Sequence, residues 1–151
     1  DAYHMTTPEP EGSGAALALR RALEDAGTEA ENVDFVNAHG TATRLNDLSE
    51  FHALERVFGT RARSIPVTST KGSIGHLLGS AGAVEAVATA LCLVHQLVHP
   101  TPGGGLIDPE TPIRLVSGRG FAEAPLQVGV SLNLGFGGTN GALVFRRWSR
   151  A

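Results

Sequence analysis

Short apolar runs alternate with segments of helical period along this chain, and few folds accept that order. Val33–Ala38 is a brief apolar run that reads as a buried strand, and Ile65–Thr68 is another. Gln127–Asn133 and Gly141–Arg147 are two further strands. They are joined through the tight sequence GFGGTN and so are expected as an antiparallel pair. Ser13 is placed to cap a helix carrying Ala16, Leu17, Leu19, Ala22, Leu23 and Ala26 at helical spacing, with Gly27 as its stop. Asn46 or Asp47 is placed to cap a second helix. Its Leu48, Phe51, Leu54, Val57 and Phe58 share a face and Gly59 ends it. A third helix is expected from about His76 to Gln96. Its residues are mostly small and apolar, as in a helix covered on nearly all sides. Pro100–Pro112 reads as a proline- and glycine-rich connection. Helices interleaved with short strands predict a layered α/β sheet.

The 151 residues are 42% hydrophobic and 18% charged, with a formal net charge of -3, which suits one domain with a substantial core. No basic block appears, so nucleic-acid binding has no support. The longest apolar stretch, Ala81–Leu93, is interrupted by Glu85 and is too short to cross a bilayer, so no membrane partner is expected. No signal peptide is visible. The one cysteine, Cys92, rules out an internal disulfide framework and fits a reducing, cytoplasmic setting. The start at Asp1 and the 19 glycines suit a piece of something larger.

Two joints stand out. VNAHGTAT, Val36–Thr43, and TKGSIGHLLGSAG, Thr70–Gly82, each place a histidine beside a glycine where a strand or helix begins or ends. Ligands of open α/β sheets sit beyond the carboxyl ends of the strands. His39 and Lys71 follow the first two strands directly, and His76 comes soon after, so all three are expected at one sheet edge. Neutral imidazoles donate hydrogen bonds to a carbonyl oxygen and stabilise charge developing there. Two of them on one thioester oxygen favour an enolate, the chemistry of malonyl decarboxylation. At the start of a helix, His76 is expected to be kept neutral by the positive dipole end. The plainer readings are a satisfied loop histidine and a solvated lysine. Metal binding is not expected: His39 and His76 lack a third ligand, and His95 and His99, one turn apart, lack a carboxylate to complete a site.

NAHGTATRLND, STKGSIGHLLGSAGAVEA and LGFGGTNGALVF, in this order and spread over nearly the whole chain, resemble the signature segments of the β-ketoacyl-acyl carrier protein synthases. The opening DAYHMTTPEPEG resembles the stretch that precedes the first histidine in that family. The resemblance implies the C-terminal half of a thiolase-like α/β/α fold with a mixed, five-stranded type of sheet. Residues 1–151 would form one half-domain, and the nucleophilic cysteine would lie in an N-terminal half upstream. Cys92, inside the third helix, reads instead as a small core residue.

The resemblance also implies roles. His39 and His76 match the histidines that bind the malonyl thioester carbonyl. Lys71 matches a lysine paired with a glutamate on the following helix, here Glu85. An unpaired carboxylate among Ala83, Val84, Ala86 and Val87 would be costly, so a partner is expected on physical grounds too. Thr41 and Thr43 match threonines that bind the pantetheine arm, although turn chemistry alone accounts for hydroxyls there. Phe136 matches a gating phenylalanine whose backbone amide contributes to an oxyanion hole; the alternative is a hydrophobic plug in the hairpin. Leu132 and Leu134 depart from the family's NSFGFGG, which bears on acyl chain length.

The implied activity is decarboxylative condensation of an acyl thioester with malonyl-acyl carrier protein, in fatty-acid or related polyketide or polyene synthesis. The implied partners are acyl carrier protein, malonyl and acyl thioesters, and a second copy of the chain through the other half. No cofactor is implied, because the carrier protein bears the phosphopantetheine. A non-catalytic chain-length partner subunit is the alternative, and the presence of His39, Lys71 and His76 together argues against it. GTATRLND departs from the GTGT…GDP of modular polyketide ketosynthases. A thiolase would carry a second cysteine near the end, and none follows Cys92.

Overall fold

In the computed structural model, residues 1–103, 107–118 and 125–148 are described. Gly104, Gly105 and Leu106 of the expected connection lie outside them. Five strands form one mixed sheet: β1 (Phe35–Asn37), β2 (Pro66–Thr68), β3 (Arg114–Leu115), β4 (Val128–Gly135) and β5 (Thr139–Arg146), in the order β3-β2-β1-β4-β5. The pairs β1–β2, β1–β4 and β2–β3 are parallel; β4–β5 is antiparallel, joined by the turn at Phe136–Gly138. A layered α/β fold with the expected hairpin is therefore present. The sequence reading contained no β3, which has only two residues.

Side-chain alternation separates two cores. On one face of the sheet, Val36, Val67, Val130 and Leu132 pack with Leu19 and Leu23 of α1 (Ser13–Asp25) and with Leu54 and Phe58 of α2 (Arg44–Phe58). On the other, Phe35 packs with Cys92, Leu93, Val98, Val116 and Leu126. Cys92 is thus a core residue, as expected. Gly129 makes room for Phe35: a Cβ there would lie 2.6 Å from its ring.

Both early helices start ahead of their expected caps. Ser13 is the first residue of α1, and Glu9 supplies the capping group, its Oε2 accepting from Ser13 N (2.7 Å) and Oγ (2.7 Å). α2 starts at Arg44, because the turn after His39 leaves Thr43 extended and already accepting from Asp47 N. Asn46 and Asp47 therefore fall inside the first turn.

The long third helix is a correction. The chain forms α3 (Lys71–Ile74), turns at Gly75 (φ 77°), passes His76, makes a short 3₁₀ turn at Leu78–Ser80, and only then forms α4 (Ala81–His95). Leu78–His95 is 18 residues with mean hydropathy 1.5, enough to cross a membrane by length and composition alone. α4 is not covered on nearly all sides. Ala81, Glu85, Thr89, Cys92 and Leu93 face the sheet, while Val87, Leu91 and Val94 are exposed. One sheet can cover only one stripe of a helix.

Candidate active site

The carboxyl ends of β1 and β2 deliver the site. β1 alternates sides, so Phe35 and Asn37 point toward α4 while Val36 points toward α2. Asn37 is fully buried. Its Nδ2 donates to Glu85 O (3.2 Å), Thr89 Oγ1 (3.2 Å) and Thr70 Oγ1 (2.9 Å), tying β1 to α4 and to the residue ahead of Lys71.

Past Ala38 the chain turns sharply at Gly40 (φ 45°). A Cβ on Gly40 would lie 2.6 Å from Ser69 Oγ, which donates to Gly40 O at 3.0 Å. Glu50, buried on α2, grips this turn: Oε1 accepts from His39 N (2.7 Å) and Oε2 from Gly40 N (2.9 Å). Burial pushes the Glu50 carboxyl up to about 7, although the two amides pull it down. Glu50 is not among the residues expected at the site. Its signal was there: Glu50, Leu54, Val57 and Phe58 follow i, i+4, i+7, i+8 spacing, so the carboxylate sits on the apolar stripe.

His39 is itself buried, and its Nδ1 makes no hydrogen bond among the described residues. Burial, reinforced by the nearby Lys71 and His76, lowers its pKa to about 4, against the opposing effect of Asn133. The ring is therefore neutral at pH 7. The His76 ring lies 5.4 Å away, centroid to centroid, at 87°. His76 does not open a helix, so the expected dipole effect lacks its helix; α4 begins five residues later. A local amide orients the ring instead. Leu78 N donates to His76 Nδ1 at 3.2 Å, so the neutral ring carries its proton on Nε2. Leu78 itself sits at φ 52°, a conformation leucine rarely adopts.

Lys71 is buried, with Nζ 2.6 Å from Glu85 Oε1 on α4. The expected partner is present, and the lysine is not solvated. Thr41 and Thr43 lie at the rim with hydroxyls 3.0 Å apart. Phe136 stands 76% exposed, followed by Gly137 at φ 72°. His39, Lys71, His76, Thr41, Thr43 and Phe136 all line one cavity of about 1270 Å³, with Leu134 beside them. Glu85 stands behind Lys71. Leu132 is in the core and does not line this cavity. The cavity thus brings together two neighbouring imidazoles and the buried, ion-paired Lys71 among its lining.

Comparison with known proteins agrees in sequence and shape. Residues 1–104 match the family pattern described as the β-ketoacyl synthase C-terminal domain. The chain is 41% identical over 148 residues to 3-oxoacyl-[acyl-carrier-protein] synthase 2 of Staphylococcus aureus (strain COL), covering 98% of this chain and 36% of that protein. It is 43% identical to the protein of the same name from a Synechocystis species, covering 98% and 35%. Among solved structures, it superposes on a β-ketoacyl synthase from Burkholderia phymatum with TM-score 0.90 and 37% identity, covering 99% of this chain and 35% of that one. On the ishigamide ketosynthase/chain length factor it reaches 0.92 at 34% identity, covering 99% and 36%. The chain spans about a third of the length of these relatives.

Proposed function

We propose, from the premise that this chain belongs to the β-ketoacyl synthase family, that its cavity is the malonyl-decarboxylating part of a condensing-enzyme active site. The observation that carries this reading is the pair of imidazoles, 5.4 Å apart and nearly perpendicular, in one cavity.

The chemistry follows from their protonation. His39 is neutral at pH 7, and neutral His76 has its free N–H on Nε2. A malonyl thioester whose carbonyl oxygen sits between the rings accepts hydrogen bonds from both. As the bond to the carboxylate carbon breaks, its electron pair moves into the thioester and carbon dioxide leaves. The negative charge collects on the oxygen that the imidazoles hold. Lys71 adds positive potential behind the rings, and Glu85 fixes its position. The resulting carbanion attacks the acyl thioester on a cysteine, releasing the thiolate and forming a 3-oxoacyl product two carbons longer. Cys92, buried in the core beside Leu93, is not that nucleophile, so the cysteine is assigned to a further segment.

At the rim, the Thr41 and Thr43 hydroxyls suit the amides of a pantetheine arm. Phe136, on its glycine-flanked turn, suits a gate whose amide faces the oxyanion. The reading extends to acyl carrier protein as partner, to fatty-acid or related polyketide synthesis, to a cytoplasmic setting, and to residues 1–151 as one half-domain. No cofactor of the protein's own takes part, and a homodimer forms through the remaining half. The exposed Val87, Leu91 and Val94 face of α4 suits cover by that half.

The test is release of carbon dioxide from malonyl-carrier protein by the complete native protein. His39→Ala and His76→Ala are each expected to lower it by about 10²-fold or more while leaving acyl transfer to the cysteine intact. Near wild-type release by the double variant overturns the reading.

A further inference from the structure

His99 lies outside the cavity lining, yet its ring spans the end of β2, from Thr68 to Thr70, and Thr70 in turn bonds Asn37 at the end of β1. Nδ1 lies 3.1 Å from Thr68 Oγ1 and 3.3 Å from Pro100 O; Nε2 lies 3.1 Å from Thr70 Oγ1. Thr68 is the last residue of β2, and Thr70 immediately precedes Lys71.

Donor and acceptor counting fixes the direction of these bonds. Thr68 Oγ1 has one proton and donates it to His99 O at 2.6 Å. Pro100 O only accepts. Nδ1 therefore faces two acceptors and must carry the ring proton. In the neutral ring Nε2 is then bare, and it accepts from Thr70 Oγ1. The Thr70 oxygen remains free to accept from Asn37 Nδ2 at 2.9 Å, and that amide is oriented by Glu85 O, which can only accept. One directed chain results: Asn37 to Thr70 to His99, then from His99 Nδ1 to Pro100 O and Thr68 Oγ1. Asn37 is two residues before His39, and Thr70 O accepts from Ser73 N and Ile74 N of the Lys71 turn. If Nε2 carried the proton instead, the Thr70 hydroxyl would have to turn to Asn37 Oδ1, 3.1 Å away.

We propose that His99 is a positioning residue: as the Nδ1–H tautomer, it orients Thr70 through Nε2 and thereby sets Lys71 and His39 relative to each other. The inference rests on the function proposed above.

Two measurements test it. Nitrogen NMR of the complete wild-type protein reads the ring directly; the expected signature is a protonated Nδ1 and an unprotonated Nε2. The reverse tautomer overturns the proposal, whatever the protein catalyses. In the complete protein, His99→Leu is expected to lower kcat for carbon dioxide release about tenfold with little change in KM. His99→Gln, whose Oε1 reaches the Nε2 position as an acceptor, is expected to recover most of it. His99→Asn, which keeps only a group near Nδ1, is expected not to. Wild-type kcat in the leucine variant, or equal recovery by asparagine and glutamine, overturns the proposal. A wild-type protein that releases no carbon dioxide overturns the proposed function instead, and the ring tautomer then decides the inference alone.

Discussion

The floor of the cavity and its rim are built on different principles, although each contributes one histidine. On and directly beneath the floor, Asn37, Glu50, Thr70, Lys71 and Glu85 are polar and each at most 8% exposed, with Lys71 the one of the five that lines the cavity. Buried polar groups are costly unless partnered. Their bonds therefore over-determine the geometry, and His39 inherits it through Glu50, which accepts from the amides of His39 and Gly40. On the rim, His76, Leu78, Thr43 and Phe136 are exposed, and turns rather than packing place them. His76 is oriented by one amide, that of a strained residue. One imidazole is thus held rigid and neutral by burial, and the other is left adjustable at the entrance.

The contrast predicts that floor substitutions cost folding while rim substitutions cost only chemistry. Lys71→Ala is the strongest case. It strands Glu85, 2% exposed, as an unpaired buried carboxylate, and the expected loss is about 3–5 kcal/mol. Replacing both partners, as Lys71→Met with Glu85→Leu, should recover much of that stability with the site chemistry gone. Urea denaturation measures both. A loss under about 1 kcal/mol for Lys71→Ala would show that the pair behaves as a surface ion pair and that the floor is not rigid.

A smaller effect lies in the dependence of stability on pH. Folded His39 has its pKa near 4 against 6.5 for the free side chain, so between those values the unfolded chain binds the proton and stability rises with pH. Folded Glu50 has its pKa near 7 against 4.5, so the folded chain binds the proton there and stability falls with rising pH. The two slopes oppose one another across pH 4.5 to 6.5. Measured against wild type, which cancels the other titrating groups, Glu50→Gln should gain stability as pH rises through this window. His39→Leu should lose it. Each slope is at most about 1.4 kcal/mol per pH unit. Slopes of the same sign in the two variants would mean that burial does not push these two groups in opposite directions.

The same division explains what could be read from the sequence. Elements that end on the floor follow simple rules. Val33–Ala38 and Ile65–Thr68 contain β1 and β2, because buried parallel strands are continuous apolar runs. Glu85 demanded a cation because its neighbours are apolar. Glu50 was legible in principle by its place on the stripe of Leu54 and Phe58. The rim's residues were named through the family resemblance, but its backbone was not legible. Glycine and small residues before α4 look helical by period, and nothing in GSIGHLLGS announces that Leu78 adopts a left-handed conformation to serve His76. The start of α2 moved to Arg44 because the His39–Thr43 turn, a tertiary feature, chose Thr43 as its boundary. β3 has two residues, too few for any pattern.

The smallest expected effect probes that strained leucine. Leu78 is 74% exposed, so its side chain contributes little packing, while its φ of 52° costs roughly 1–2 kcal/mol. Leu78→Gly removes the strain but adds freedom to the unfolded chain, which costs about 0.5–1 kcal/mol. The net change should be stabilising and no larger than about 1 kcal/mol. The more flexible turn holds the amide that bonds His76 Nδ1 less firmly, so carbon dioxide release should fall while stability does not. A variant that loses both together, or that becomes markedly less stable, would show that Leu78 packs as a floor residue does. The division between a packed floor and an adjustable rim would then fail at the residue on which it most depends.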